Sequence, residues 1–179
     1  MDTPRLHLRK ITASDLTDFH EIWSNEEATQ WSSCGPKKTL EESRSWLNGL
    51  LPEVKPEGDN YAVFIRTPEG ESQDNERRMI GIMGVYSFRP VPELGYTFHP
   101  DFWGHGYATE ALHGFLDIYW KSRLNVNVIE AKTDTENFGS IRVLKKCGFK
   151  NVATLKANIA LPKMGPGFRD SLVFRVERP

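Results

Sequence analysis

The stretch Glu93–Leu112, ELGYTFHPDFWGHGYATEAL, decides the fold of this chain. Its first six residues predict a strand, which Pro100 ends, and a helix is expected from about Gly106 to Lys121. Gly104-His105-Gly106 supplies the turn between them, in which the backbone can approach a ligand without an intervening side chain. The first turn of a helix carries unpaired N–H groups and a partial positive charge. This junction therefore predicts a cradle for a pyrophosphate group.

Other interpretations of the glycine turn differ in how well they fit. A Gly-x-Gly turn before a helix is also compatible with a purely structural tight turn. A P-loop requires GxxxxGK[ST], and the chain contains no such string. The dinucleotide fingerprint GxGxxG needs a third glycine where Thr109 stands, and it belongs to a first βαβ unit rather than to the middle of a chain. The spacing therefore disfavours a nucleotide-dependent oxidoreductase.

Hydrophobic periodicity on both sides of this stretch predicts an α/β chain with a mixed sheet, about seven strands and four helices. Ser14 is expected to cap the first helix, and Thr39 with Glu42 forms a capping box for the second. The polar insert TPEGESQDNERR, residues 67–78, is typical of an exposed hairpin connection. The expected strands are 5–11, 60–66, 79–88, 93–98, 126–133, 152–160 and 171–177, and the expected helices are 14–25, 40–50, 106–121 and 138–147.

Composition limits the class of protein. The 179 residues fit one domain, 1–179, and 23 Lys and Arg against 24 Asp and Glu give a net charge of -1. Because no field of one sign results, we expect no nucleic-acid or membrane partner. The start, MDTPRLHLRKITASDL, has no long apolar core, so a cytoplasmic enzyme, monomer or homodimer, is the default expectation. Two distant cysteines and five histidines without a ligand spacing predict free thiols and no metal site.

A second motif follows one strand after the glycine turn. Asn137-x-x-Ser140 opens an apolar-rich helix that ends at Gly148-Phe149. Residues 103–108 fit the pattern [QR]-x-x-G-x-[GA] except at the first position, where Trp103 stands in place of Gln or Arg. With these two motifs in this order, the chain resembles the GCN5-related N-acetyltransferase (GNAT) superfamily, and within it the branch of ribosomal-protein alanine N-acetyltransferase-like enzymes. The resemblance covers nearly the whole chain.

The resemblance implies a single acetyltransferase domain that moves the acetyl group of acetyl-CoA to an amine. In this fold the strand ending at Phe98 and the strand 126–133 splay apart, and the pantetheine arm pairs with the first of them. Arg142, Lys145 or Lys146 would meet the 3′-phosphate, although such a basic helix face is also typical of a solvated surface. The implied cofactor-binding residues are Tyr96, Thr97, Phe98, Trp103, Gly104, His105, Gly106, Tyr107, Ala108, Thr109, Asn137 and Ser140.

Two residues are candidates for the chemistry. Many relatives place a tyrosine seven residues after the motif asparagine as the proton donor to the thiol, but Leu144 stands there. Ser140 is the replacement candidate, and its alternative is a helix N-terminal hydroxyl that bonds to backbone. Glu93 is the candidate base, acting through water, and its alternative is a strand-end carboxylate that faces solvent. His99 and His105 fall where the cofactor phosphates should lie, so neither is assigned as a base.

The amine acceptor site is expected between four segments, 31–36, 58–61, 89–92 and 161–168. Trp31 and Phe168 are aromatic candidates for its lining, although loop aromatics also serve packing. The sequence leaves open a protein N-terminus, a lysine side chain, a polyamine, an amino sugar or another small amine. A non-catalytic acetyl-CoA-binding regulatory module of the same fold is the alternative function, motivated by the missing tyrosine and the uncertain base.

Overall fold

The computed structural model describes residues 1–56, 58–66, 78–88 and 90–179. Within them the chain forms one seven-stranded sheet and four α-helices, which confirms the predicted fold class. The strands are β1 (Leu6–Lys10), β2 (Asp59–Ile65), β3 (Met79–Ser87), β4 (Glu93–Phe98), β5 (Val128–Asp134), β6 (Lys150–Ala160) and β7 (Phe168–Glu177). The helices are α1 (Leu16–Ser24), α2 (Leu40–Asn48), α3 (Tyr107–Ser122) and α4 (Phe138–Lys146).

The strand order is β1-β2-β3-β4-β5-β7-β6. The first four strands form an antiparallel meander, and β5, β7 and β6 form a second antiparallel set. β4 and β5 run parallel, and their register contains the single pair Glu93 and Glu130 among the residues that the structure describes. The backbone N–H of Glu130 donates to the carbonyl of Pro92 at 2.8 Å, which fixes this end of the junction. Beyond it the two strands diverge.

Two hydrophobic clusters cover the two faces of the sheet. The first packs α3 and α4 against the sheet and includes Leu6, Leu94, Phe98, Phe115, Leu144 and Phe174. The second packs α1 and α2 against β2 and β3 and includes Ile11, Phe19, Leu47, Ala62 and Ile82. Since side chains alternate along a strand, Glu93, Gly95 and Thr97 point away from the first cluster. No described residue of β4, β5 or β7 belongs to the second cluster, and this face of those strands carries Glu93, Glu130, Lys132 and Arg175 beside the buried Val173.

Several local predictions need correction. Ser14 does not cap α1, because a 3-10 turn over Ala13–Asp15 precedes the helix and Asp15 Oδ2 accepts from the backbone N–H of Thr12 at 2.8 Å. Thr39 does cap α2, with Oγ1 accepting from Glu42 N at 3.1 Å, but the Glu42 carboxylate reaches back to Lys38 N rather than to Thr39. The predicted hairpin connection 67–78 lies outside the described residues except at its last position.

Candidate functional site

The gap between β4 and β5 is the central feature of the site. β4 pairs with β3 along its whole length, so only its β5-facing edge carries free main-chain groups past Glu93. Tyr96, Thr97 and Phe98, the predicted pantetheine contacts, lie on this stretch. A free strand edge offers donors and acceptors to an extended ligand that contains amide groups. Pantetheine is such a ligand, and the geometry therefore fits it.

The loop after β4 turns into the first turn of α3. Gly104 and Gly106 both have φ of +79°, a conformation that glycine adopts without strain, and Gly106 is the N-cap of the helix. The backbone N–H of Glu110 makes a 3.0 Å bond to the carbonyl of Gly106, so the N–H groups of residues 107–109 precede this first helical bond. A methyl group built on Gly104 meets nothing within 4 Å. The loop thus presents open backbone donors at a positive helix end, as a pyrophosphate requires.

Trp103, which stands where the family pattern has Gln or Arg, has a structural contact of its own. The indole Nε1 donates to the carbonyl of Phe98 at 2.9 Å and so ties the loop to the end of β4. His105 folds back onto the same loop, with Nδ1 2.8 Å from the carbonyl of Trp103 and its ring stacked on Tyr107. His99 likewise has a structural contact, because its Nδ1 accepts from Asp101 N at 3.3 Å. Both histidines therefore have structural contacts within the loop, and that neither is a base stays a prediction.

Arg5 supplies a cation beside the phosphate loop that the sequence analysis missed. Its Nη1 donates to the carbonyl of His105 at 3.0 Å, and its Nε pairs with Glu110 Oε2 at 2.6 Å. The guanidinium also lies 4.7 Å above the centre of the Tyr107 ring. A methyl group built on Gly106 would lie 3.6 Å from Arg5 Nη2. The charge is thus beside the predicted cradle, although Arg5 belongs to the segment leading into β1.

The start of α4 faces β4 across the gap. Asn137 is the N-cap of α4, and its Oδ1 accepts from Ser140 N at 3.1 Å. The Ser140 hydroxyl lies 2.7 Å from the Tyr96 hydroxyl, so the two side chains bridge the gap. Burial raises the pKa of Tyr96 above its ordinary value of 10, against a smaller opposing effect of the Ser140 hydrogen bond. Leu144, at the position where relatives carry a tyrosine, is buried in the core.

Glu93 lies in a network of charges on the face that α1 and α2 leave uncovered. Its carboxylate accepts a hydrogen bond from the Tyr86 hydroxyl and one from Lys132 Nζ, the latter at 2.8 Å. Lys132 also lies 3.5 Å from Glu130, whose other oxygen pairs with Arg175 at 2.9 Å. Only 13% of the Glu93 side chain is exposed. Glu93 therefore does not face open solvent as the alternative interpretation expected.

The same contacts set the charge states of the network. Burial disfavours the charge of Lys132, but the hydrogen bond and charges of the neighbouring carboxylates outweigh this effect and raise its pKa above 10.5. Burial, together with the hydrogen bond to Glu93, also raises the pKa of Tyr86. Lys132 therefore stays charged and Tyr86 stays protonated near neutral pH. Neither Tyr86 nor Lys132 belongs to a motif, so the sequence did not indicate that either residue would contact Glu93.

Two of the predicted acceptor segments meet in space. Lys163 Nζ, in the loop between β6 and β7, pairs with Glu26 Oε2 at 2.7 Å. A methyl group built on Gly35 would lie 3.9 Å from Pro162 Cβ, so the loop before α2 contacts the same segment. Phe168 is 70% exposed at the start of β7. Arg89, within the predicted 89–92 segment, lies outside the described residues.

A groove beside the phosphate loop bears on the predicted 3′-phosphate contacts. It has a volume of about 590 Å³ and runs between the N-terminal residues and α3. Gly106, Thr109 and Lys146 line part of it. Lys146, one of the three basic candidates on α4, therefore lies on the same groove as two residues of the predicted phosphate site. The described residues contain no cluster of three or more metal-ligating side chains and no helix long and apolar enough to cross a bilayer.

Comparison with known proteins agrees with this geometry. The family model for the acetyltransferase (GNAT) domain matches residues 5–150. The chain is 28% identical over 160 residues to the uncharacterized N-acetyltransferase p20 of Bacillus licheniformis, covering 86% of this chain and 84% of that protein. The chain therefore belongs to the acetyltransferase (GNAT) domain family: it is an N-acetyltransferase, and acetyl-CoA is its co-substrate. The family resemblance predicted from the two motifs is confirmed.

Solved structures show the same fold. The spermidine N-acetyltransferase of Vibrio cholerae, in complex with CoA and spermine, superposes with a TM-score of 0.78 at 17% identity over 98% of this chain and 96% of that chain. An acetyltransferase of Salmonella typhimurium that modifies the N-terminal serine of ribosomal protein L7/L12 superposes with a TM-score of 0.79 at 17% identity, covering 99% and 97%. At such identities the likeness concerns the fold alone.

Proposed function

We propose that this chain transfers the acetyl group of acetyl-CoA to a primary amine by direct attack within a ternary complex. The acceptor is a peptide or protein N-terminus, a lysine side chain or a small-molecule amine. The observation that carries the proposal is the gap between β4 and β5, which leads from the phosphate loop to the charged network around Glu93. A cofactor with its phosphates at the loop and its pantetheine arm in the gap brings its thioester to the junction of β4 and β5.

The cofactor contacts follow from the described geometry. The N–H groups of residues 107–109, with Gly104 and Gly106, hold the pyrophosphate, and Arg5 adds a positive charge. The edge of β4 at residues 96–98, apart from the Phe98 carbonyl that accepts from Trp103, holds the pantetheine arm. The Asn137 amide donates to the arm through Nδ2, because Oδ1 is occupied by the helix cap. Lys146 reaches the 3′-phosphate from the groove beside the loop.

The reaction needs a neutral amine. An alkyl ammonium has a pKa several units above neutrality, so a carboxylate that takes its proton through water supplies a necessary step. Glu93 serves as this base, and the Lys132 ammonium pairs with its carboxylate at 2.8 Å. The amine nitrogen then bonds to the carbonyl carbon and gives its second proton to water, the carbon–sulfur bond breaks, and the electron pair leaves on sulfur. Amide and CoA are the products after the thiolate gains a proton.

The acceptor approaches from the face of β4 and β5 that α1 and α2 leave uncovered. This face is bordered by the loops that Lys163 and Glu26 join. The Vibrio cholerae neighbour is in complex with spermine and the Salmonella typhimurium neighbour modifies an N-terminal serine, so both acceptor classes occur on this fold. The charges around Glu93 are balanced by cations, which is compatible with either class.

A thiol-release assay with a panel of amines tests the proposal. The panel contains peptides with free Ser, Ala, Thr and Met N-termini, a blocked lysine, spermidine and an amino sugar. We expect acetyl-CoA to be cleaved with at least one amine, together with a mass gain of one acetyl group on that amine. Each peptide with an acetylated N-terminus is the matched control. Tight binding of acetyl-CoA without CoA release for any amine would leave the chain as a non-catalytic binding module and overturn the proposal.

A further inference from the structure

The Tyr96 and Ser140 hydroxyls form a contact that the motif analysis did not anticipate. Tyr96 belongs to β4, while Ser140 lies in the first turn of α4, 44 residues later. Their oxygen atoms are 2.7 Å apart, and the Ser140 carbonyl lies 3.4 Å from the Tyr96 hydroxyl. The contact therefore spans the gap between β4 and β5, beside the path of the pantetheine arm in the proposed function.

The direction of this hydrogen bond follows from the chemistry of the two groups. A hydroxyl has one proton, and a phenol is a stronger hydrogen-bond donor than an aliphatic hydroxyl. Tyr96 therefore donates and Ser140 Oγ accepts. This arrangement leaves the Ser140 proton free for a third group. The backbone N–H of Ser140 is already bonded to Asn137 Oδ1, which fixes the first turn of α4 and the position of its hydroxyl.

We propose that Ser140 donates a hydrogen bond to the departing thiolate and that Tyr96 is a positioning residue that orients Ser140 for this bond, without either hydroxyl giving up its proton. The inference rests on the proposed acetyl transfer and names what happens at its leaving group. In this role Ser140 donates a hydrogen bond, whereas the sequence predicted that it would donate its proton to the thiolate. The pair stabilises the negative sulfur by hydrogen bonding, and water supplies the proton after CoA begins to leave.

The relative acidities of thiol, alcohol and phenol support hydrogen bonding over proton transfer. A thiol has an ordinary pKa of about 8.5, and an aliphatic hydroxyl is a far weaker acid. Burial raises the pKa of Tyr96 further above that of a thiol. A thiolate is therefore too weak a base to keep a proton taken from either side chain. What it gains from them is a hydrogen bond to a charged atom in a site with little water.

Single-turnover acetyl transfer in the full chain tests the pair, using the best amine of the panel. We expect Ser140→Ala and Tyr96→Phe each to lower the rate constant of acetyl transfer about 10-fold or more. The apparent dissociation constant for acetyl-CoA should stay unchanged within about two-fold. Because Tyr96 acts through Ser140, the double variant should be no slower than Ser140→Ala. Tyr119→Phe, in the buried core, is the matched control and should keep the wild-type rate.

The pH profile separates hydrogen bonding from proton transfer. If Tyr96 gave up its proton, the wild-type rate would fall at high pH and Tyr96→Phe would lack that fall. We expect no such difference between the two profiles, because the phenol does not ionise in the working pH range. An unaltered rate in Tyr96→Phe, additive losses in the double variant, or a basic limb that tracks Tyr96 would each overturn the inference. A wild-type protein that releases no CoA with any amine would instead overturn the proposed function itself.

Discussion

Arg5 Nη1 donates to the carbonyl oxygen of His105 at 3.0 Å, joining the segment before β1 to the phosphate loop across 100 residues. The contact holds the loop backbone at the residue before Gly106, the N-cap of α3, and keeps the guanidinium beside the predicted phosphate site. Glu110 holds the same guanidinium from the first turn of α3 at 2.6 Å. Strand, loop and helix are therefore connected through one side chain.

Replacing Arg5 should weaken acetyl-CoA binding more than turnover. Arg5→Met removes a charge-assisted hydrogen bond and a positive charge beside Gly106, and we expect the KM for acetyl-CoA to rise about 10-fold with kcat nearly unchanged. Steady-state kinetics at saturating amine measure both. Arg66→Met is the matched control, because Arg66 bonds to the Thr3 carbonyl at 2.8 Å. An equal KM change in both variants would mean that loosening of the N-terminal segment, not the loop contact, causes it.

Gly106→Val should abolish the stabilisation of the fold by acetyl-CoA. A ligand that binds only the native state raises the Tm with the logarithm of its concentration. Valine at φ +79° strains the loop and adds side-chain atoms beside the phosphate donors. Gly148→Val is the control, because Gly148 has a similar φ of +83° at the end of α4. Both variants should melt earlier, but only Gly106→Val should lose the acetyl-CoA shift; a retained shift would rule out this loop as the cradle.

Asn137 has two functions that two substitutions can separate. Asn137→Ala removes both the helix cap and the amide donor, so it should lose about 1 kcal/mol of stability and raise the KM for acetyl-CoA. Asn137→Asp keeps the oxygen that accepts from Ser140 N but has no amide donor. We expect it to retain the wild-type Tm and to raise KM by a similar factor. Urea unfolding and kinetics on the same preparations provide the comparison, and a wild-type KM in Asn137→Asp would exclude a cofactor contact through Nδ2.

Glu93→Gln should affect strongly basic amines most. A general base contributes about 100-fold or more when the amine is almost fully protonated. At pH 7 we expect such a loss for a lysine-like or polyamine acceptor, less than about 10-fold for an α-amine, and smaller losses for both as the pH rises. The measurement is kcat/KM for the acceptor against pH. Parallel profiles with the same basic limb in wild type and variant would remove Glu93 as the base.

Glu110 makes the stability of the fold depend on pH. Burial alone would raise the pKa of Glu110, but hydrogen bonds from Thr3 and Arg5 outweigh burial and lower it below 4.5. Because the folded-state pKa is the lower one, its contribution is fully present above pH 4.5 and is lost as the pH falls through the folded-state value. Glu110→Gln should be about 1 kcal/mol less stable than wild type at pH 6, with the difference shrinking at pH 3. Urea unfolding at both values checks this, and a constant difference would contradict it.

Local sequence rules predicted the elements that depend on neighbouring residues. β4 has the predicted bounds, and Gly106 ends the turn before α3, because alternation, a proline and two glycines act within a few residues. The same rules indicated Ser14 as the cap of the first helix, because hydroxyl residues favour helix starts. The structure has a 3-10 turn there instead, and the Asp15 side chain accepts from Thr12 N once that turn has formed.

The parts of the site that were not predicted involve residues far apart in the chain. Arg5 meets His105, and Tyr96 meets Ser140, through strands and helices that pack from different regions. No spacing within one element indicates which polar side chain will lie opposite another after folding. The motifs therefore indicated Ser140 but not its partner. They predicted that Tyr96 contacts the pantetheine arm along the strand, and they gave no role to its hydroxyl.

The single bridge between Glu93 and Glu130 also bears on how the chain folds. All strands before α3 pair among themselves, and all strands after it pair within residues 128–177, so each half of the sheet has its own set of contacts. The two halves share one strand pair, so the junction adds little pairing of its own and depends on both halves being formed. We expect the junction of β4 and β5 to close last, once α3 docks on both halves. Completion of the fold and assembly of the catalytic cleft are then the same late event.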